Sequence, residues 1–128
     1  MEQNTNVLNW FEIPVSDFNR AKKFYETIFD IQMQDMPMGD IEMSFFPYNP
    51  GSGKLSGAIC KGEMYKPGSN GGPLIYFNGN PDLQAALSKV ESAGGKVLMP
   101  KTEITPEIGY FAIFMDSEGN TVALHSQK

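Results

Sequence analysis

The sequence predicts an α+β fold built from two βαβββ modules, and three observations predict it. Residues 10–29 read as one strand running directly into one helix. Residues 63–73 hold Pro67, Gly68, Gly71, Gly72 and Pro73, and after this break the same order of elements begins again. Corresponding positions also recur at a near-constant offset. Glu26 and Glu91 end matching helices 65 residues apart, Ile59 and Leu124 sit in matching strands 65 apart, and Trp10 and Leu74 are 64 apart.

In the first strand Phe11, Ile13 and Val15 alternate with Trp10, Glu12 and Pro14. Alternate side chains leave a strand on opposite faces, so one face is apolar and the other mixed. Ser16 or Asp17 supplies an oxygen for the free N–H groups that open a helix. Ala21, Phe24, Tyr25 and Ile28 then recur at spacings of three and four, a stripe that lies over the apolar strand face. Asp30 closes the helix. Strands are expected over 31–35, 41–46 and 54–61, separated by turns at Pro37–Gly39 and a loop at Pro47–Gly53.

The second module repeats this order. A strand is expected over 74–79, and Asn80 before Pro81 reads as a helix opening, with a capping side chain followed by a ring at helical φ. Leu83, Ala86, Leu87 and Val90 form the stripe, and Gly94-Gly95 ends it. A strand at 96–99, a loop at 101–109, a strand at 110–115, a turn at 116–120 and a last strand at 121–126 follow. The expected organisation is one domain over residues 1–128, with module one about 7–62, a linker at 63–73 and module two about 74–126. Residues 1–6 read as a frayed end.

Composition narrows the function. The chain has 128 residues, a net charge of −5, one cysteine and one histidine. An acidic chain without a basic run is a poor partner for phosphate backbones, so nucleic acid is not expected. No apolar run reaches the roughly 20 residues that span a bilayer, and the polar start lacks the order of a secretory signal. Cys60 has no cysteine to pair with, which suits a reducing, cytoplasmic setting. A cage of several histidines is excluded within one chain, because His125 stands alone.

Four segments, Phe11–Asp17, Arg20–Tyr25, Val90–Val97 and Asp116–Asn120, resemble the vicinal-oxygen-chelate superfamily of glyoxalase I, bleomycin-resistance proteins and extradiol dioxygenases. The resemblance spans nearly the whole chain. It implies two modules whose curved sheets face each other around a barrel-like cleft, with the helices outside, and it implies a homodimer, with exchanged modules as one arrangement. In metal-dependent members four His, Glu or Gln ligands come from the first and fourth strands of both modules. Those positions fall here on Trp10, Ala58, Leu74 and Ala123, which offer no lone pair to a divalent ion, so no metal and no other cofactor is expected. Glyoxalase I and dioxygenase chemistry use that metal as a Lewis acid, and the departure argues against both.

Two residues further along each strand, Glu12, Cys60, Tyr76 and His125 are expected to meet on the cleft face. A carboxylate, a thiol, a phenol and an imidazole beside Trp10 make a pocket with a few convergent polar groups. Glu12 and His125 are the candidate catalytic pair, hydrogen-bonded to each other and acting on a small polar ligand. Trp10, Cys60, Tyr76 and the loop residues Tyr48 and Tyr110 are the candidate ligand contacts. Each has a plainer alternative. Glu12 could satisfy buried backbone or Tyr76, Cys60 could be an inert small hydrophobe, Trp10 could be core, and the two loop tyrosines could anchor loops. Two functions therefore stand: a metal-free small-molecule-binding protein, or a glyoxalase-like lyase or isomerase, related to lactoylglutathione lyase, with an atypical or metal-free site.

Overall fold

The structure, a computed structural model, describes residues 3–128. Module one contains β1 (Trp10–Pro14), α1 (Phe18–Phe29), β2 (Gln34–Asp35), β3 (Glu42–Phe45) and β4 (Ser56–Lys61). Module two contains β5 (Tyr76–Asn78), α2 (Gln84–Leu87), β6 (Lys96–Thr105), β7 (Gly109–Met115) and β8 (Thr121–Ser126). The strands form two four-stranded sheets, ordered β1-β4-β3-β2 and β5-β8-β7-β6. In each sheet the first and fourth strands run parallel and the other pairs antiparallel. This is the expected α+β architecture. Of the polar end expected over residues 1–6, residues 1 and 2 lie outside the described residues, and the remainder carries no strand or helix.

The helix of module one forms for the reasons its sequence gives. Asp17 caps it by accepting from the Arg20 N–H at 3.0 Å, and Asp30 ends it in the left-handed region at φ 52°. Ala21, Phe24, Tyr25 and Ile28 are all buried. They pack with Ile13 and Val15 of β1 and Ile59 of β4. Truncating Phe24 to alanine would cost about 3–5 kcal/mol, because its ring touches both Tyr25 and Phe114. The repeat reappears in detail after the helices. Glu26, in the last turn of α1, accepts from the Met33 N–H at 2.8 Å, and Glu91, in the turns that follow α2, accepts from the Val97 N–H at 3.2 Å.

Three expected elements differ. The second strand is only Gln34–Asp35, because the Met33 N–H is turned to Glu26 and its side chain to the core. The loop expected at 101–109 is instead strand as far as Thr105. Thr102 pairs with Phe111 and Glu103 with Tyr110, across register shifts that absorb Pro100. Asn80 does not cap α2. The Asn80–Pro81 bond is cis, the Asn80 side chain accepts from Gln127, and the regular helix begins only at Gln84, whose N–H goes to Asp82.

The two helix-bearing faces share one core. Ile13, Ile59, Phe24 and Tyr25 of module one belong to the same cluster as Leu83, Val90, Phe114 and Leu124 of module two. Both helix-free faces are therefore turned away from that core, and the chain does not close a barrel on itself. The sheets meet instead at β1 and β5, where Phe11 touches Phe77 with ring centroids 5.6 Å apart. Gly57 makes room for this contact, since a Cβ there would lie 2.6 Å from the Phe11 ring.

A polar knot locks the modules together. Glu118, in the turn between β7 and β8, has a fully buried side chain. It accepts from the Ser16 and Asp17 N–H groups at 3.0 and 2.7 Å, from the Ser16 hydroxyl, and from Arg20 Nε at 2.7 Å and Nη2 at 3.2 Å. Burial alone would push its carboxyl up; Arg20, the Asp17 amide and the Ser117 and Ser16 hydroxyls override it and hold the group at about 2. Beside it Tyr25 donates to Asp116 at 2.6 Å, and burial followed by the Asp116 charge pushes the phenol well up.

Candidate functional site

The helix-free face of module one follows from strand alternation. Glu12 pairs with Ala58 across β1 and β4, while Phe45 pairs with Ala58 and Met43 with Cys60 across β3 and β4. Met43, Ala58 and Cys60 are buried, with Trp10, Phe45, Ile41 and Tyr65 packed around them. Trp10 meets Phe45 at a centroid distance of 4.9 Å and Tyr48 at 5.3 Å. Glu12 is exposed, and its Oε1 accepts from the Tyr65 hydroxyl at 2.6 Å. That bond is the main reason the Tyr65 phenol is raised, since its ionised form would face a carboxylate. Burial first, then the Glu12 charge, pushes the Cys60 thiol up to about 12. At neutral pH Cys60 is thus a thiol, a neutral wall rather than a nucleophile.

The helix-free face of module two carries the rest. Tyr76 pairs with Ala123 and Asn78 with His125 across β5 and β8, and Phe111 and Ile113 lie opposite His125 and Ala123 on β7. Tyr76 is half exposed and Met99, opposite Ile113, is 39% exposed. The His125 Nε2 lies 2.7 Å from the Ile108 carbonyl oxygen.

The layer expected to gather Glu12, Cys60, Tyr76 and His125 divides between the two faces. Glu12 and Cys60 are neighbours through Tyr65 on module one, and Tyr76 and His125 lie on module two. No hydrogen bond joins Glu12 to His125 among the described residues of one chain; each has its own partner. The pairing along β1 and β5 is also displaced by two residues from the expected layers, with Trp10 opposite Ser56 and Tyr76 opposite Ala123. Tyr110 is a correction. It pairs with Ser126 on the helix-bearing face, packs against the common core, and has the Lys101 ammonium 4.6 Å from its ring centre. It sits there because 101–105 is strand, which fixes the alternation of β7 against β6. Tyr65 and Phe45 are members of the site that sequence reasoning missed. Tyr65 lay inside the stretch read as linker, where no periodicity marks a side chain.

Between the sheets a cleft of about 490 Å³ opens at the β1/β5 seam. Glu12, Ile13 and Pro14 form one wall, Leu74, Ile75, Thr121 and Val122 the other, and residues of 66–73 the roof. The roof is tied down where the Gly68 N–H donates to Asn120 Oδ1 at 3.0 Å and the Ser69 hydroxyl donates to the Gly119 carbonyl. Asn120 in turn donates to the Pro14 carbonyl at 2.8 Å, so one side chain holds the roof, β1 and β8 together.

The residues do not supply the family's four-ligand set. Trp10, Ala58, Leu74 and Ala123 lack donor atoms, and the residues paired with Ala58 and Ala123 in the observed register, Glu12 and Tyr76, add one carboxylate and one phenol. The Ser56 hydroxyl opposite Trp10 already donates to the Pro47 carbonyl at 3.0 Å. Among the described residues no three His, Cys, Asp or Glu side chains gather to hold an ion.

The sequence profile of the Glyoxalase/Bleomycin resistance protein/Dioxygenase superfamily matches residues 7–124. A glyoxylase-like domain-containing protein of Didymella fabae is 32% identical over 120 residues, covering 91% of each chain. Among solved structures, TnmS3, an antibiotic binding protein from Streptomyces sp. CB03234, is 26% identical with a TM-score of 0.66, over 99% of this chain and all of that one. A glyoxalase I mutant from Zea mays has a TM-score of 0.72 at 20% identity, a likeness of fold. This chain matches it over 94% of its own length and spans 46% of the maize chain.

Proposed function

The chain belongs to the glyoxalase/bleomycin resistance protein/dioxygenase superfamily, and from that premise we propose that it binds a small molecule without a metal, between the helix-free faces of the two sheets rather than in the β1/β5 seam, which Glu12 alone of the candidate residues lines. The observation that carries this reading is the donor set. Indole and alkyl groups stand at the positions that the resemblance gives for metal ligands, while an aromatic and apolar surface with one fixed carboxylate surrounds Trp10 and Ala58. Such a surface is what a ligand pocket needs. The likeness to an antibiotic binding protein over the full length supports the same reading. Trp10, Tyr48 and Tyr76 would contact the ligand, with Glu12 and His125 as its polar partners and the buried Cys60 beneath them.

The ligand space is completed by a second copy. Both helix-free faces look away from the core, and Tyr76 and Met99 leave apolar area in water on module two. Docking module one of one copy onto module two of the other would bury that area and bring Glu12 of one chain toward His125 of its partner. Light scattering at micromolar concentration is expected to give the mass of two chains; a single-chain mass rejects this arrangement.

The functional test uses Nile red, a neutral apolar dye, and metal analysis of the purified protein. Saturable dye binding should survive EDTA and weaken several-fold in Trp10→Ala. Stoichiometric metal whose removal abolishes binding refutes the reading. One observation favours the lyase or isomerase alternative: Glu12 is a carboxylate on the ligand-facing surface, oriented by a phenol, as a proton-transfer group would be. Isomerisation of the hemithioacetal of methylglyoxal and glutathione, lost in Glu12→Gln, would establish it. No described helix is long and apolar enough to cross a membrane. The acidic charge argues against nucleic acid, and the unpaired, buried Cys60 supports a cytoplasmic setting.

A further inference from the structure

Trp10, Phe45 and Tyr48 form a corner. Their ring planes meet pairwise at 69°, 73° and 77°, with centroids 4.9, 5.3 and 6.3 Å apart. Each pair meets edge to face, so the three rings turn faces in three different directions. The three residues reach it from different places. Trp10 comes from the edge strand β1, Phe45 from the end of β3, and Tyr48 from the loop that follows. Tyr48 is 46% exposed and Trp10 and Phe45 are only partly buried, so the corner is open to water.

A carboxylate stands next to it. Glu12 is two residues from Trp10 on the same strand face, a step of roughly 7 Å. The Tyr65 hydroxyl donates to one of its oxygens, and the residue is exposed to solvent. Ring faces are electron-rich, and a cation within about 6 Å of a ring centroid is attracted to them. The spacing of these rings lets one cation lie within that distance of all three, with Glu12 supplying the counter-charge. Among the described residues the cation–π contact is Lys101 over Tyr110, on the helix-bearing side, so no described side chain takes the place.

We propose that the Trp10–Phe45–Tyr48 corner with Glu12 is a subsite for an alkylated ammonium group, and that the ligand of this protein carries such a group beside an apolar body. The inference rests on the reading that ligand binds the helix-free faces, and it adds the chemical class. A methylated ammonium is favoured over a primary one. Its charge is spread over carbons that pack on rings, and it loses little by leaving water. A primary ammonium would lose hydrogen bonds that the rings do not return.

Trp10 is the only tryptophan, so its fluorescence reports the corner directly. The probes are choline and its neutral isostere 3,3-dimethylbutan-1-ol, titrated against the full chain at low salt. Choline should shift or quench Trp10 emission saturably, about tenfold more tightly than the isostere. In Tyr48→Leu, a loop substitution that keeps much of the apolar volume, the preference for the charged probe over the isostere should fall to near unity. In Glu12→Gln the choline preference should fall and lose its dependence on salt. If the two probes bind equally, the ammonium subsite is refuted and the small-molecule reading stands. If neither perturbs Trp10, the subsite is refuted as well, and the Nile red titration then decides the wider reading on its own.

Discussion

In module two, β7 and β8 are joined by Asp116–Asn120, a five-residue turn in which nearly every polar group has a partner. Asp116 accepts from Tyr25, from the Glu118 and Asn120 N–H groups and from the Asn120 side chain, at 2.6 to 3.0 Å. Glu118 reaches into module one, and Asn120 holds β1 and the linker. In module one the equivalent connection runs from Phe46 to Leu55 and is built differently. Most of its hydrogen bonds are short-range, such as Ser52 N–H to the Asn49 carbonyl and Lys54 N–H to the Ser52 hydroxyl, and one reaches it from Asn6 Nδ2 to the Gly53 carbonyl at 3.4 Å. On the helix-free face its large side chain is Tyr48, against Trp10 and Phe45. The same supersecondary unit has thus been used twice, once with its last turn given to holding the halves together and once with it laid against the helix-free face. A turn full of buried, charge-assisted bonds resists change; a loop with local bonds tolerates it.

The sharpest way to break the comparison is Glu118→Ala. It strands Arg20, two amides and a hydroxyl, and is expected to cost about 3–4 kcal/mol in urea unfolding. A loss under about 1 kcal/mol would mean the knot holds nothing. Acid separates the two regions nearly as strongly. The folded Glu118 carboxyl titrates near 2 against an ordinary 4.5, so the folded state binds fewer protons than the unfolded one between those values. Its contribution, on the order of 3 kcal/mol, is complete above about pH 4.5 and disappears as pH falls toward 2. The pH-dependent drop in urea midpoint across that window should be smaller in Glu118→Gln than in the natural chain. An equal drop in both assigns the acid sensitivity elsewhere.

Tyr25→Phe removes one bond to Asp116 and keeps the ring, and should cost about 1–2 kcal/mol. The smallest effect is expected from the other loop. Inserting Gly-Ser after Asn49 should change stability by under about 1 kcal/mol, since loop entropy grows slowly with length. The same insertion after Ser117 should abolish cooperative unfolding. Comparable losses at both places would erase the distinction drawn between the turns.

Much of the fold was legible because burial imposes a period. The stripe Ala21, Phe24, Tyr25, Ile28 and the alternation through Ile13 and Val15 mark their elements without further information. Elements whose limits depend on partners were harder. The strand character of 101–105 comes from pairing with β7, and Pro100 and Pro106 signal a loop to any local reading. For the site, Trp10, Glu12, Cys60 and Tyr76 were placed on helix-free faces by strand alternation alone. Tyr65 was invisible, because it reaches Glu12 from a stretch without period. Tyr110 was assigned to a rim that β6 does not leave open.

The sequence by itself determined two βαβββ halves and their repeat, because spacing and side-chain chemistry are local properties. Only the tertiary structure decided that the helix-bearing faces share one core and the helix-free faces look outward. It alone brought Glu118 to Ser16 and Arg20, about a hundred residues away along the chain. Those outcomes depend on which apolar faces bury each other, and pairing between distant segments leaves no mark in the order of residues.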